Sequence, residues 1–220
     1  PCNNPSTDRL DQQLHNPSND FAMTYPSDIY PESRNRLPVV KREELDEQGK
    51  RTYDEVTTRS AVSIAGLQGP GGMMLHNSRL AETYRAYNRL VPTEPALGNA
   101  LTELAILVVA REVNHQFEWT VHEPEARKAG LDPRAIDIVK HRQPIDGIGA
   151  KEAAIIRLGR EVFRDRKVSA QTYAEAERLF GRRMLVTVSA VMGAYASTAV
   201  MLTVFDQQLA PGMAPVLPMP

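Results

Sequence analysis

Beyond about residue 41, apolar residues recur every three or four positions, and strict alternation is almost absent. This period marks amphipathic helices. From Lys41 to Thr57, Leu45, Gly49, Tyr53 and Val56 form a modest stripe among charges, the pattern of a surface helix. Asn77 and Ser78 offer cap chemistry to a helix through Leu80, Tyr84, Tyr87 and Leu90, ended by Pro92. From about Pro95 to His115 the apolar positions Leu97, Leu101, Leu104, Ala105, Leu107, Val108 and Val109 cover more than one face, as in a central helix. A further run, Gln116 to Ala129, stops at Gly130, and Asp132-Pro133 opens a short helix to about Lys140. Lys151 to Arg166, Ser169 to Phe180 and the apolar Met184 to Phe205 complete the helices.

Two stretches break this pattern. Residues 1 to 40 are rich in Asn, Ser, Asp and Pro, and Pro26, Pro31 and Pro38 stop any helix. They read as an irregular arm, with Tyr25, Ile29, Tyr30 and Leu37 as anchors that lay it along the folded body. Gly66 to Gly72 reads as a loop whose glycines let backbone approach a pocket; no Lys-Ser/Thr follows to make it a phosphate cradle. Only Leu37 to Val40 has strand-like residue types. The expected fold is all-α, with an arm over 1–40, a helical domain over 41–210 and a tail over 211–220.

Composition narrows the function. At 220 residues, 42% hydrophobic and 24% charged, the chain has the make-up of one globular domain with a sizeable core. Lys+Arg 26 against Asp+Glu 27 leaves a formal charge of -1, without the basic footprint of a nucleic-acid binder. The Met184 to Phe205 run is interrupted by Thr187, Ser189, Ser197 and Thr198, so it reads as a buried or oligomer-forming helix rather than a membrane span. A first residue Pro1 followed by a polar stretch fits a removed secretory signal, which favours a periplasmic or secreted location. The single cysteine, Cys2, excludes an internal disulfide and a Cys-x-x-Cys pair.

Candidate chemistry is densest in Arg111-Glu-Val-Asn-His-Gln-Phe-Glu-Trp-Thr-Val-His122. On an unbroken helix Glu103, Leu107, Arg111, His115, Glu118 and His122 would line one stripe, and Glu118 would reach His122 one turn on. The same spacing suits solvated helix pairs with ordinary polar histidines.

The stretch Glu103 to Leu131, with Phe-Glu-Trp-x-x-His and then Ala-x-x-x-Gly-Leu, resembles the carboxymuconolactone decarboxylase and AhpD-like family, as does Gly69-Pro-Gly-Gly-Met-Met-Leu-His76. The resemblance spans about Leu37 to Leu209. It implies an AhpD-like helical bundle, assembly as a trimer or hexamer, and no cofactor or metal. The peroxidase branch uses a Glu, a Cys-x-x-Cys and a His four residues later. Placing that His on His122 puts the Glu on Glu103 and the cysteines on His115 and Glu118. Thiol peroxidase activity is therefore not expected.

Glu103, His115, Glu118 and His122 remain as catalytic candidates, with Arg111, His76 and Trp119 as substrate-binding ones. The expectation is a cofactor-independent acid–base lyase that acts on a small anionic lactone or an unsaturated or keto acid. Two alternatives stand beside it: a non-catalytic small-ligand binding protein on the same fold, and a metal-dependent enzyme using His115, Glu118 and His122. No nucleic-acid or membrane partner is expected.

Overall fold

A computed structural model describes residues 25–58, 65–90 and 96–220. In chain order the helices are α1 (Glu47–Thr57), α2 (Pro70–Met74), α3 (Ser78–Leu90), α4 (Asn99–Glu112), α5 (Gln116–Lys128), α6 (Pro133–Lys140), α7 (Ala150–Arg160) and α8 (Ala170–Val204). Single-turn 3-10 helices precede α1 and α2, and a short π-helical turn, Glu161–Asp165, follows α7. No strand is present among the described residues, and Leu37 to Val40 is irregular. The architecture is the all-α one that the apolar period predicts.

Helix α4 is the axis. Every residue from Leu104 to Arg111 is buried, and it packs against α5, α7 and α8. A helix that is apolar nearly all round has no solvent face to offer, so neighbours must enclose it. Leu104, Ile106, Leu107, Ile136, Ile155, Ile156 and Val188 meet in the main core. Caps set the boundaries: the Asn77 side chain accepts from Leu80 N–H, Asp132 from Arg134 N–H, and Ser169 from Thr172 N–H. Gly130, at φ 79°, takes the left-handed conformation just past α5.

The glycine-rich segment is not the loop expected from its composition. Gly66–Gln68 forms a 3-10 turn and Pro70–Met74 a short helix begun by Pro70. Gly72 is there for contact: a Cβ on it would lie 1.9 Å from the Leu67 carbonyl oxygen. Helix α8 is broken at Gly181 (φ 69°, ψ 164°), so its two halves match the two runs on either side of residues 181–183.

The second half of α8, expected to be a buried or oligomer-forming helix, is only partly buried in the single chain. Met184, Leu185, Val188, Val191 and Leu202 face inward, but Val186, Val200 and Val204 are 69%, 63% and 56% exposed. This helix is long and apolar enough to cross a membrane by composition, yet its inner face belongs to the core.

The described part of the arm docks on the end of α8. Ile29 is buried, Arg36 N–H donates to Phe205 O at 2.8 Å, and Asn35 Nδ2 donates to Gln207 Oε1 at 3.1 Å. The Tyr25 hydroxyl reaches Leu209 O, and Leu37 packs in a small cluster with Met73, Phe117 and Leu202. Tyr30 is exposed. Cys2 and the rest of residues 1–24 lie outside the described residues.

Candidate functional site

Helices α4 and α5 form a hairpin joined by Val113, Asn114 and His115. Asn114 is left-handed at φ 53°, and His115 N–H donates to Ala110 O at 2.7 Å, which ends α4 and turns the chain. The continuous stripe expected from spacing therefore does not form. The reversal instead brings Glu103 on α4 opposite His122 on α5, with His122 Nδ1 2.9 Å from Glu103 Oε2. Both side chains are largely buried. With Nδ1 taken, Nε2 is the ring nitrogen left for a ligand. Tyr195 of α8 meets the His122 ring edge-on, with centroids 5.1 Å apart.

Glu118 lies one turn before His122 on α5, but its carboxylate does not reach the imidazole. It is 2% exposed, and neither oxygen has a hydrogen-bond partner. Burial without a donor disfavours the anion, and its pKa is pushed up to about 8. At neutral pH Glu118 is mostly a protonated acid.

Glu118, His122 and Tyr195 share one cavity of about 120 Å³. Phe117, Val121, Leu202 and Ala65 supply apolar wall, while Glu118, His122, Tyr84, Arg85, Asn88, Tyr195 and Thr198 supply the polar lining. The Tyr84 and Thr198 hydroxyls are hydrogen-bonded to each other. Burial holds both tyrosines above the ordinary phenol range, and negative charge on Glu103 or Glu118 would push Tyr195 further the same way. Both phenols are neutral donors. A dry-walled pocket with a few convergent polar groups and a strongly shifted acid is what a small-molecule site requires.

The other sequence candidates lie elsewhere. His115 is the N-cap of α5, its Nδ1 accepting from Glu118 N–H at 3.3 Å, and burial lowers its pKa to about 4. It is a neutral acceptor that starts the helix carrying Glu118 and His122. Arg111 is buried, but it donates to Pro218 O at 2.6 Å and does not line the cavity. Trp119 is fully buried in the core, where Nε1 donates to Glu123 Oε2 at 2.6 Å. His76 is exposed, its Nε2 3.0 Å from Pro38 O, and it too is outside the cavity. Among the described residues no three of His, Cys, Asp or Glu converge to hold a metal ion. The proposed ligand set of Glu103, His115, Glu118 and His122 is thus not assembled, because His115 points its Nδ1 into the helix start.

Sequence reasoning missed Tyr84, Arg85 and Asn88 on α3, and Tyr195 and Thr198 on α8. The signal available was a tyrosine and a threonine three residues apart inside an apolar run, and Tyr84-Arg85 with Asn88 one turn on.

Residues 79–158, which contain Glu103, Glu118 and His122, match the profile of the carboxymuconolactone decarboxylase family. No curated protein matches the chain. Among solved structures, the fold is similar to that of an alkylhydroperoxidase AhpD core protein, an uncharacterized peroxidase-related protein from Ralstonia eutropha JMP134. The TM-score is 0.63 at 15% identity, covering 81% of this chain and 93% of that one.

Proposed function

We propose that this chain, whose residues 79–158 match the carboxymuconolactone decarboxylase family, is a member of it and an acid–base lyase or isomerase acting on a small anionic lactone or an unsaturated or keto acid. The observation that carries this reading is Glu118: a buried, unpartnered, protonated carboxyl in the same cavity as a His122 held by Glu103. Maintaining an unsatisfied carboxyl in a core lowers stability, and such groups cluster at functional sites.

Two related steps fit the geometry. In decarboxylation the bond between the carboxyl carbon and its neighbour breaks, CO₂ leaves, and the electron pair stays as an enolate. Glu118 then gives its proton to that carbon, and water restores the acid. In isomerisation His122 Nε2 removes a proton beside the carbonyl, Glu103 stabilises the imidazolium, Glu118 protonates the far end of the conjugated system, and the imidazolium's proton returns to Glu118 through solvent. Tyr195 supplies a neutral hydroxyl dipole to the developing oxyanion, while the Tyr84 hydroxyl donates to Thr198, which itself donates to Ala194 O. A positioned acid or base of this kind contributes roughly a hundred- to ten-thousand-fold.

Thiol peroxidase chemistry has no support in this chain. Its one cysteine is Cys2, and the family resemblance puts His115 and Glu118 at the positions of the two thiols that this chemistry needs.

The test is NMR in deuterated water with carboxymuconolactone and a panel of β-keto and unsaturated acids. Deuterium entering the carbon that loses CO₂, lost in Glu118→Gln, or the far end of the conjugated system, lost in His122→Ala, is the expected result. Binding of these acids without any deuterium incorporation would make the protein a ligand carrier.

A further inference from the structure

The cavity contains one arginine among its described lining residues, and it is not the arginine that the sequence nominates. Arg85 lines the same space as Glu118 and His122 and is only 8% exposed. A buried guanidinium needs an anion, because desolvating it without one is costly.

Its partner is Glu55 of α1, but loosely so. Arg85 Nε donates to Glu55 Oε2 at 3.4 Å, whereas charge-assisted N–H···O bonds are usually about 2.7–2.9 Å. The carboxylate side chain of Glu55 is 46% exposed against 10% for Arg85. Even the solvent-exposed pair of Arg42 and Asp54 is closer, at 2.7 Å and 2.8 Å through two nitrogens. Among the described residues, the one arginine lining the cavity thus has a long, one-point contact with a carboxylate that water also reaches. Planar guanidinium donors match a carboxylate through two parallel bonds, so a ligand carboxylate in the cavity can offer Arg85 more than Glu55 does. Glu118, being protonated, does not compete for it.

We propose that Arg85 is the anchor for the substrate's non-reacting carboxylate, and that Glu55 is an internal carboxylate which holds this guanidinium until the substrate's replaces it. This inference rests on the acid–base reading of the cavity. It assigns the substrate class: a small acid with one carboxylate directed to α3 and the reacting carbon directed to α5. It also gives Glu55 a role in specificity, since a neutral analogue cannot displace it.

The experiment is calorimetric titration with 2-furoate and its neutral isostere 2-furamide. Wild type should bind furoate at least about tenfold more tightly than the amide, the scale of one charged hydrogen-bonded contact. Arg85→Gln should reduce that preference below about twofold, and Glu55→Gln should tighten furoate several-fold while leaving furamide unchanged. Circular dichroism checks folding, and Arg85→Lys, which keeps the charge but not the fork, should retain part of the preference if Arg85→Gln does not fold. Undiminished preference in Arg85→Gln, weaker or unchanged furoate binding in Glu55→Gln, or no preference in wild type would overturn the proposal. Deuterium exchange without carboxylate preference would overturn the anchor alone. Carboxylate preference without exchange would overturn the acid–base reading alone.

Discussion

His122 Nδ1 lies 2.9 Å from Glu103 Oε2 across the α4–α5 hairpin, a pairing of residues nineteen apart that no single-helix spacing encodes. It makes His122 and Glu103 one unit and leaves Glu118 a separate acid. Removing either member of the pair should cost at least roughly a hundredfold in turnover, the lower range for positioned acid–base groups. The double variant His122→Ala/Glu103→Gln should lose little more than the worse single one, whereas Glu118→Gln should add its own loss to either. A double-mutant cycle on deuterium exchange measures this. Strong coupling of His122 to Glu118, and none to Glu103, would contradict the assignment.

The helices were legible because burial imposes a 3.6-residue period on Leu104, Leu107 and Val108 of α4, and because Asn77, Asp132 and Ser169 sit where caps belong. The site was legible only in part. Its two ends, Glu103 and His122, were readable from the family resemblance, but their contact depends on Asn114, whose left-handed backbone breaks the stripe and removes Arg111 and His115 from it. Tyr195 and Thr198 come from a helix far along the chain, and Arg85 from another. Long-range packing decides which polar residues meet, and periodicity carries no information on it. Gly72 illustrates the same limit: its close approach to Leu67 turns a loop-like composition into a helical turn.

Glu118 also makes a prediction about stability. Its folded pKa of about 8 exceeds the ordinary 4.5, so the folded state binds more protons than the unfolded state between those values. Stability attributable to this group therefore falls as pH rises through that window and is constant above it. Glu118→Gln removes the titration, so its stability relative to wild type should climb from about pH 5 to pH 8 and then level, at most about 1.4 kcal/mol per unit. Urea unfolding across pH 5 to 9 checks it; parallel curves for the two proteins would contradict it.

Peroxide consumption with a dithiol reductant should be at background. Any activity that survives Cys2→Ser would contradict this, since no other cysteine exists in the chain.

The outer face of α8 predicts self-association. Val186, Val200 and Val204 are exposed, and Leu80 and Tyr87 on α3 are 50% and 44% exposed. The Tyr87 hydroxyl donates to Ala190 O, so the two helices present neighbouring apolar surface. Patches of this kind mark protein contacts. Light scattering at micromolar concentration should give an oligomer, and Val200→Arg should give a folded monomer. A monomeric wild type would contradict the prediction.

Glu118 keeps its proton at neutral pH inside the cavity. Carbon-13 NMR of protein labelled at the glutamate side-chain carboxyls, with Glu118→Gln to identify the signal, follows that proton directly. One carboxyl should titrate near pH 8 and be missing from the variant. A Glu118 signal already ionised by pH 6 would contradict it.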